Sequence, residues 1–172
     1  MTTTYTTHFD FPLLEAGSDG WDAVINGMFT DLDALLYQMP RFVAEGVSIN
    51  LNAGAGTLTT LYTAPAGYKF IPLMIILRDF SNIVSAAVID IGLGGGGSGS
   101  ACDEFLASQI LSGISASASY LDECLILQPI PNATPVSSLV LDEAEILALQ
   151  ITTANGTALT CVADVFGKLI LK

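Results

Sequence analysis

The feature that most limits this chain is a succession of short β-prone runs with almost no helix between them. "VSINL" (Val47 to Leu51) alternates apolar and polar residues. "GTLTTLYTA" (Gly56 to Ala64) is rich in threonine, and "PAGY" then makes a turn. "KFIPLMIIL" (Lys69 to Leu77) is apolar on both faces, which predicts a strand covered on both sides. Pro72 within it predicts an edge or a bulge. "VSAAVIDI" (Val84 to Ile91), "YLDECLILQ" (Tyr120 to Gln128) and "SSLVL" (Ser138 to Leu141) follow. Two more runs flank Asn155-Gly156, a dipeptide that suits a two-residue hairpin because both of its residues tolerate φ > 0. That hairpin would pair Ala154 with Thr157, Ile151 with Thr160 and Leu149 with Val162. About eight short strands without βαβ alternation predict a mainly β fold: an antiparallel, jelly-roll-like sandwich. A short helical piece is expected over Cys102 to Leu111.

Ahead of this region lies a different pattern. The chain opens extended, turns at "EAGSDG", and then places Trp21, Val24, Ile25, Met28, Phe29, Leu32, Leu35 and Leu36 at helical spacing. Ser18 or Asp19 suits the N-cap, and Pro40 stops the helix. The chain therefore divides near Gly46, into an anchor arm over 1–45 and a β-sandwich over 46–172. The apolar side of the helix is wide and needs something to pack on.

Charge narrows the function. Five Lys and Arg face seventeen Asp and Glu, a formal net charge of −12. No nucleic-acid or anionic-membrane partner is expected from bulk charge of that sign. Charged residues are only 13% of the chain, about half the usual share in a soluble protein. Much of the surface is thus uncharged, which favours subunit contacts. No apolar run approaches the ~20 residues of a membrane span, and no signal peptide is visible. Cys102, Cys124 and Cys161 form no C-x-x-C pair and read as small hydrophobes in a reducing compartment.

Three features invite a catalytic reading. "GLGGGG" carries Gly92-x-Gly94-x-x-Gly97 after a strand, as a dinucleotide fingerprint would. The following "CDE" puts two carboxylates where the phosphates would lie, so a surface loop over Gly94–Ser100 is the better reading. His8 is the only histidine and has no nucleophile placed near it, so a packed arm residue is expected. The acidic pairs Asp103-Glu104, Asp122-Glu123 and Asp142-Glu143 fit solvated loop ends better than a calcium site. No catalytic, cofactor or metal residue is assigned, and no enzyme is expected.

Two stretches resemble a known group. "FDFPLLEAGSDGWDAVINGMFTDLDALL" (Phe9 to Leu36) is similar to the N-terminal segment of tailed-bacteriophage virion proteins, through Gly20-Trp21 and Phe29, Leu32 and Asp33. "TTLYTAPAGYKFIPLMIILRDFS" (Thr59 to Ser81) and "TALTCVADVFGKLI" resemble the β-domains of small phage fibre, spike and head-decoration proteins. The chain departs from long tail fibres in lacking a shaft repeat and a large receptor-binding tip. The resemblance implies a non-enzymatic virion protein assembled in the host cytoplasm, a homotrimer with one sandwich face against the threefold axis. It implies docking of the arm on other virion proteins of the capsid, neck or tail. Trp21, Met28, Phe29, Leu32 and Leu36 would carry that docking. Phe70, Leu73, Ile75 and Leu77 would form the subunit interface or the core. A rival reading is a carbohydrate-binding module meeting a host surface glycan through Tyr62, Tyr120 and the acidic pairs.

Overall fold

The structure is a computed structural model. It describes residues 5–9, 21–94, 102–112, 124–129 and 139–172, with Trp21 and Asp22 described as backbone only. The chain forms two compact units, Met1–Met39 and Pro40–Lys172.

Among the described residues the second unit is a sandwich of eight strands. They are β1 (Arg41–Asn50), β2 (Leu58–Thr63), β3 (Tyr68–Arg78), β4 (Val88–Gly94), β5 (Leu106–Ile110), β6 (Leu125–Leu127), β7 (Ile146–Thr153) and β8 (Thr160–Leu171). One sheet has the order β1-β8-β3-β6 and the other β2-β7-β4-β5. Every described pairing is antiparallel. First pairs with last, second with seventh, third with sixth and fourth with fifth. That is the jelly-roll connectivity: one long hairpin wrapped so that successive rungs fall in alternate sheets. The inward faces alternate with the pleat. Phe70, Ile75 and Leu77 of β3, Ile89 and Ile91 of β4, Leu147, Leu149 and Ile151 of β7 and Val165 of β8 are all fully buried. The Phe70 ring packs on Tyr62 from the other sheet, with centroids 4.6 Å apart. A Cβ at Gly167, opposite Pro72 on β8, would come within 2.2 Å of that ring, so only glycine lets it seat.

Several expectations are corrected. Asn155-Gly156 closes no hairpin: β7 pairs with β2 and β4, whereas β8 pairs with β1 and β3. The segment is a crossover between sheets. Asn155 is 0% exposed and lacks the positive φ of the expected turn. Its Oδ1 accepts hydrogen bonds from the amides of Ser85 (2.9 Å) and Ala86 (3.2 Å). Its Nδ2 donates to the Thr157 carbonyl at 3.1 Å, and its own amide donates to Leu51 O at 2.8 Å. One buried residue thus ties three loops at one end of the sandwich, two through its side chain and one through its amide.

The expected helix over Cys102 to Leu111 is instead β5, paired with β4. An extra residue in β5 sits at Ser108, with φ of 50°, and its amide donates to Asp90 Oδ1 at 2.5 Å. That bulge breaks the period-2 pattern that would have revealed a strand. The expected strand over Ser138 to Leu141 is, among its described residues, a single bridge from Leu141 to Phe70. The division near Gly46 lies inside β1. Gly46, with φ of 73°, is the extra residue of a bulge whose amide donates to Asp164 Oδ1 at 2.8 Å. The contact boundary falls at Met39 and Pro40.

In the first unit, α1 spans Trp21–Tyr37. Asp33 is 3% exposed and holds a turn over Thr7–Phe9, where the sequence predicted an extended opening. It accepts hydrogen bonds from Thr6 Oγ1 (3.0 Å), the His8 amide (3.1 Å) and the Phe9 amide (2.7 Å). The His8 ring stacks on Tyr37 with centroids 3.7 Å apart. The N-cap expected at Ser18 or Asp19 lies outside the described residues.

Candidate docking surfaces

Two apolar surfaces remain open after the core has formed. The first is on α1. Ile25, Phe29, Asp33 and Leu36 form the side that is half-buried or buried. Beside it, Val24, Met28, Leu32 and Leu35 stack at spacings of four, four and three. These fall within an arc of about 80° at roughly 100° per residue. All four are exposed, Met28 to 67%, and exposed Met39 extends the row past the helix end. Exposed Asp31 borders it.

The second surface is the outer face of the β1-β8-β3-β6 sheet. The register places Phe42 of β1 opposite Phe166 of β8, and Phe166 opposite Met74 of β3. In the next rows Ile76 of β3 faces Ile126 of β6. The Phe42 and Phe166 rings meet edge-on at 5.3 Å. Ile126 is 55% exposed, and Leu73, in the β3 bulge, is 38% exposed. An apolar band therefore crosses all four strands without leaving the outer side of the sheet.

The polar groups around this band are fixed in place. Arg78 Nε donates to Asp164 Oδ2 at 2.6 Å, and its Nη1 meets Asp79. The guanidinium hydrogen bond holds the Asp164 carboxyl below the usual carboxylate range. The same pair keeps Arg78 charged. Lys69 Nζ lies 2.8 Å from Asp142 and lowers the pKa of that carboxyl. All five Lys and Arg of the chain, Arg41, Lys69, Arg78, Lys168 and Lys172, lie in or directly after strands of this one sheet. The strands of the other sheet carry none.

The expected site residues divide accordingly. Met28 and Leu32 lie in the open helical row, while Phe29 and Leu36 are half-buried beside it. The Trp21 side chain lies outside what is described. Phe70, Ile75 and Leu77 are core, and Leu73 alone of that group faces outward. The sequence reading left out the sheet band of Phe42, Met74, Ile76, Ile126 and Phe166. Its signal was the second apolar face of "KFIPLMIIL", read without the partner strands that extend it.

The features that invited chemistry have structural uses. Gly92 and Gly94 belong to β4. A Cβ on Gly92 would meet the Glu104 carboxylate at 2.1 Å and the Glu104 amide nitrogen at 2.7 Å, so the glycine admits that segment. Glu104 Oε2 in turn accepts from the Leu93 amide at 2.9 Å. The rest of the glycine run, Tyr120 and Asp122-Glu123 lie outside the described residues. Tyr62 packs on Phe70. Cys102 and Cys161 are buried, which pushes their thiols up to about 11 and about 12, whereas Cys124 is exposed. Among the described residues no cluster of three or more His, Cys, Asp or Glu could hold a metal, and no helix is long and apolar enough to cross a membrane.

No protein-family model matches the chain, and no curated protein matches it in sequence. Solved structures similar to it include the capsid of Ralstonia phage GP4, at 13% identity over 74% of this chain and 84% of that one, with a TM-score of 0.48. An acid-stable capsid of Helicobacter pylori bacteriophage KHP30 matches at 13% identity over 77% and 97%, with a TM-score of 0.44. A capsid chain of cyanophage Pam1 matches at 13% over 77% and 85%, with a TM-score of 0.45. Each score lies below 0.5, so the likeness carries no conclusion about what this chain does.

Proposed function

We propose that this chain is a non-enzymatic structural protein of a tailed-phage virion. In this reading the arm over 1–39 docks on a neighbour, and the jelly roll over 40–172 faces outward. The observation that supports it best is the pair of open apolar surfaces on a chain of low charge density. A protein that worked alone would bury them or line them with charge. The resemblance of the arm at Gly20-Trp21, Phe29, Leu32 and Asp33 points the same way. So does the commitment of the buried polar side chains: Asp33, Asp90, Asn155 and Asp164 spend their hydrogen bonds on backbone, on Arg78 and on the hydroxyls of Thr6, Ser85 and Thr157.

The reading includes a homotrimer and a role as capsid cement or as a small fibre or spike. The test is occupancy on purified particles. Trp21→Ala combined with Met28→Glu should lower the number of copies per particle while the β-unit still folds. Unchanged occupancy would refute the arm's role. Particles lacking the chain separate the two positions: a cement protein predicts shells that burst at lower temperature, a fibre predicts intact shells with altered adsorption. In the carbohydrate-binding alternative, Tyr62 is half-buried against Phe70, and Tyr120 and Asp122-Glu123 lie outside the described residues.

A further inference from the structure

We propose that Asn155-Gly156 is a latent self-modification site. The fold holds it inert, and when the crossover between β7 and β8 opens, the chain alters itself there into a form that cannot close again. The inference goes beyond the reading above and does not depend on where on a particle the protein sits.

Three observations carry it. The first is the dipeptide. An asparagine followed by glycine is especially open to ring closure, because no Cβ on the second residue hinders its amide nitrogen. In that reaction the Gly156 nitrogen attacks Cγ of Asn155. The new N–Cγ bond closes a succinimide ring, the Cγ–Nδ2 bond breaks, and Nδ2 leaves as ammonia with the proton given up by the Gly156 nitrogen. Water then opens the ring at either carbonyl and leaves aspartate or isoaspartate. No oxidant or cofactor takes part.

The second is the lock. Ring closure needs the Asn155 side chain to swing toward the next nitrogen, and hydrolysis needs water. Asn155 is fully buried. Its Oδ1 accepts from the Ser85 amide (2.9 Å), the Ser85 hydroxyl (3.0 Å) and the Ala86 amide (3.2 Å). Its Nδ2 donates to the Thr157 carbonyl at 3.1 Å and to the Thr157 hydroxyl at 3.2 Å. A swing of the side chain breaks these bonds together. The third is the glycine itself. Gly156 has no positive φ, and a Cβ there would meet no atom within 4 Å. Neither conformation nor packing calls for glycine at this position, so the residue that makes Asn155 labile is one the fold does not need.

The products explain why opening would be final. Aspartate sets an acceptor against the Thr157 carbonyl, where Nδ2 had donated, and buries a negative charge. Isoaspartate routes the main chain through the former side chain and adds one carbon to the backbone. That displaces the residue 155 amide from Leu51 O, 2.8 Å away. β8 begins at Thr160 and sits between β1 and β3, so a crossover that cannot close keeps the first sheet apart. Stability then becomes a matter of how often the crossover opens.

Gly156→Ala tests the proposal, since the site has room for the methyl. The full-length chain and this variant are held under reducing conditions in mildly alkaline buffer, with and without urea. Peptide mapping by mass spectrometry reads the acid formed at 155 apart from that at Asn26, the other asparagine followed by glycine. In urea Asn155 should convert in the wild type and much more slowly in the variant. In native buffer neither should convert over the same time. After dilution from urea, converted wild type should stay unfolded by circular dichroism, while the variant refolds. Asn155→Asp made directly should likewise fall well short of wild-type stability. Conversion at Asn155 as fast in native buffer as in urea would overturn the proposal. So would a converted chain or an Asn155→Asp variant that refolds with wild-type stability, or a Gly156→Ala chain that loses refolding as fast as the wild type. A Gly156→Ala chain that melts well below the wild type would overturn it too, since the fold would then need the glycine.

Discussion

The two sheets of the sandwich share one core and differ in what they do with their outer faces. The β2-β7-β4-β5 sheet looks after itself. On its central strands the outward positions are small or polar, such as Gln150 and Gly92, with Gly92 buried beneath the Asp103–Glu104 backbone, and its exposed large residues, Leu58 and Ile110, are confined to the edge strands β2 and β5. Asp90 on that face is closed off by the Ser108 amide. The β1-β8-β3-β6 sheet carries large apolar residues outward and all the cations of the chain. Both inner faces are fully apolar, so stability does not explain the contrast. An outer face that costs solubility is retained where contact is its use.

The comparison can be broken at its common core first. Phe70→Ala should cost about 3–5 kcal/mol, because a fully buried ring shared by both sheets is lost. Urea unfolding followed by fluorescence measures it. A smaller loss would mean that Tyr62 and its neighbours collapse into the space. Next in size is Gly167→Ala, which should cost about 1–3 kcal/mol by pushing a methyl into the Phe70 ring and the Ile71 carbonyl. The Phe70→Ala/Gly167→Ala double variant should be less destabilised than the sum of the two, since the clash has lost its partner.

The polar rim of the first sheet gives a smaller, pH-dependent effect. The folded pKa of Asp164 is depressed by Arg78, so its contribution is present above the ordinary carboxylate range. It is lost as pH falls through the folded value. Wild-type stability should therefore drop between about pH 5 and pH 3 more steeply than that of Asp164→Asn. Parallel pH profiles would show that the pair contributes nothing. Thiol labelling is gentler still. In native protein at pH 8 Cys124 should react, while Cys102 and Cys161 stay silent until the chain unfolds. Fast labelling of Cys102 would mean that the cover over the second sheet opens.

How much of this was legible in the sequence differs by level. The fold class was, because the inward positions of β3, β4, β7 and β8 repeat with the pleat and no βαβ alternation interrupts them. Pairing was not. The Asn155-Gly156 signal is local, whereas the true partners of β7 and β8 lie far away in sequence, and only a buried Asn side chain marks the crossover. Bulges that shift the period hid the first half of β1, up to Gly46, and all of β5, at Ser108. Part of the exposed apolar surface was visible, since Met28 and Leu32 stand out at helical spacing. The rest was not, because a band across four strands comes from residues as distant as Phe42 and Phe166.

The wrapped pairing also sets a timetable for making the protein. β8 is the sole neighbour of β1 in its sheet and the link between β1 and β3. Until its twelve residues have left the ribosome, neither strand has that partner, and the first sheet cannot close. Contacts of such long sequence separation form slowly. Through that interval the apolar edges of β1 and β3 stay open, and a growing chain so exposed is prone to clump with its neighbours. Slower growth at lower temperature should therefore raise the soluble yield more than it would for a protein whose early strands pair with each other.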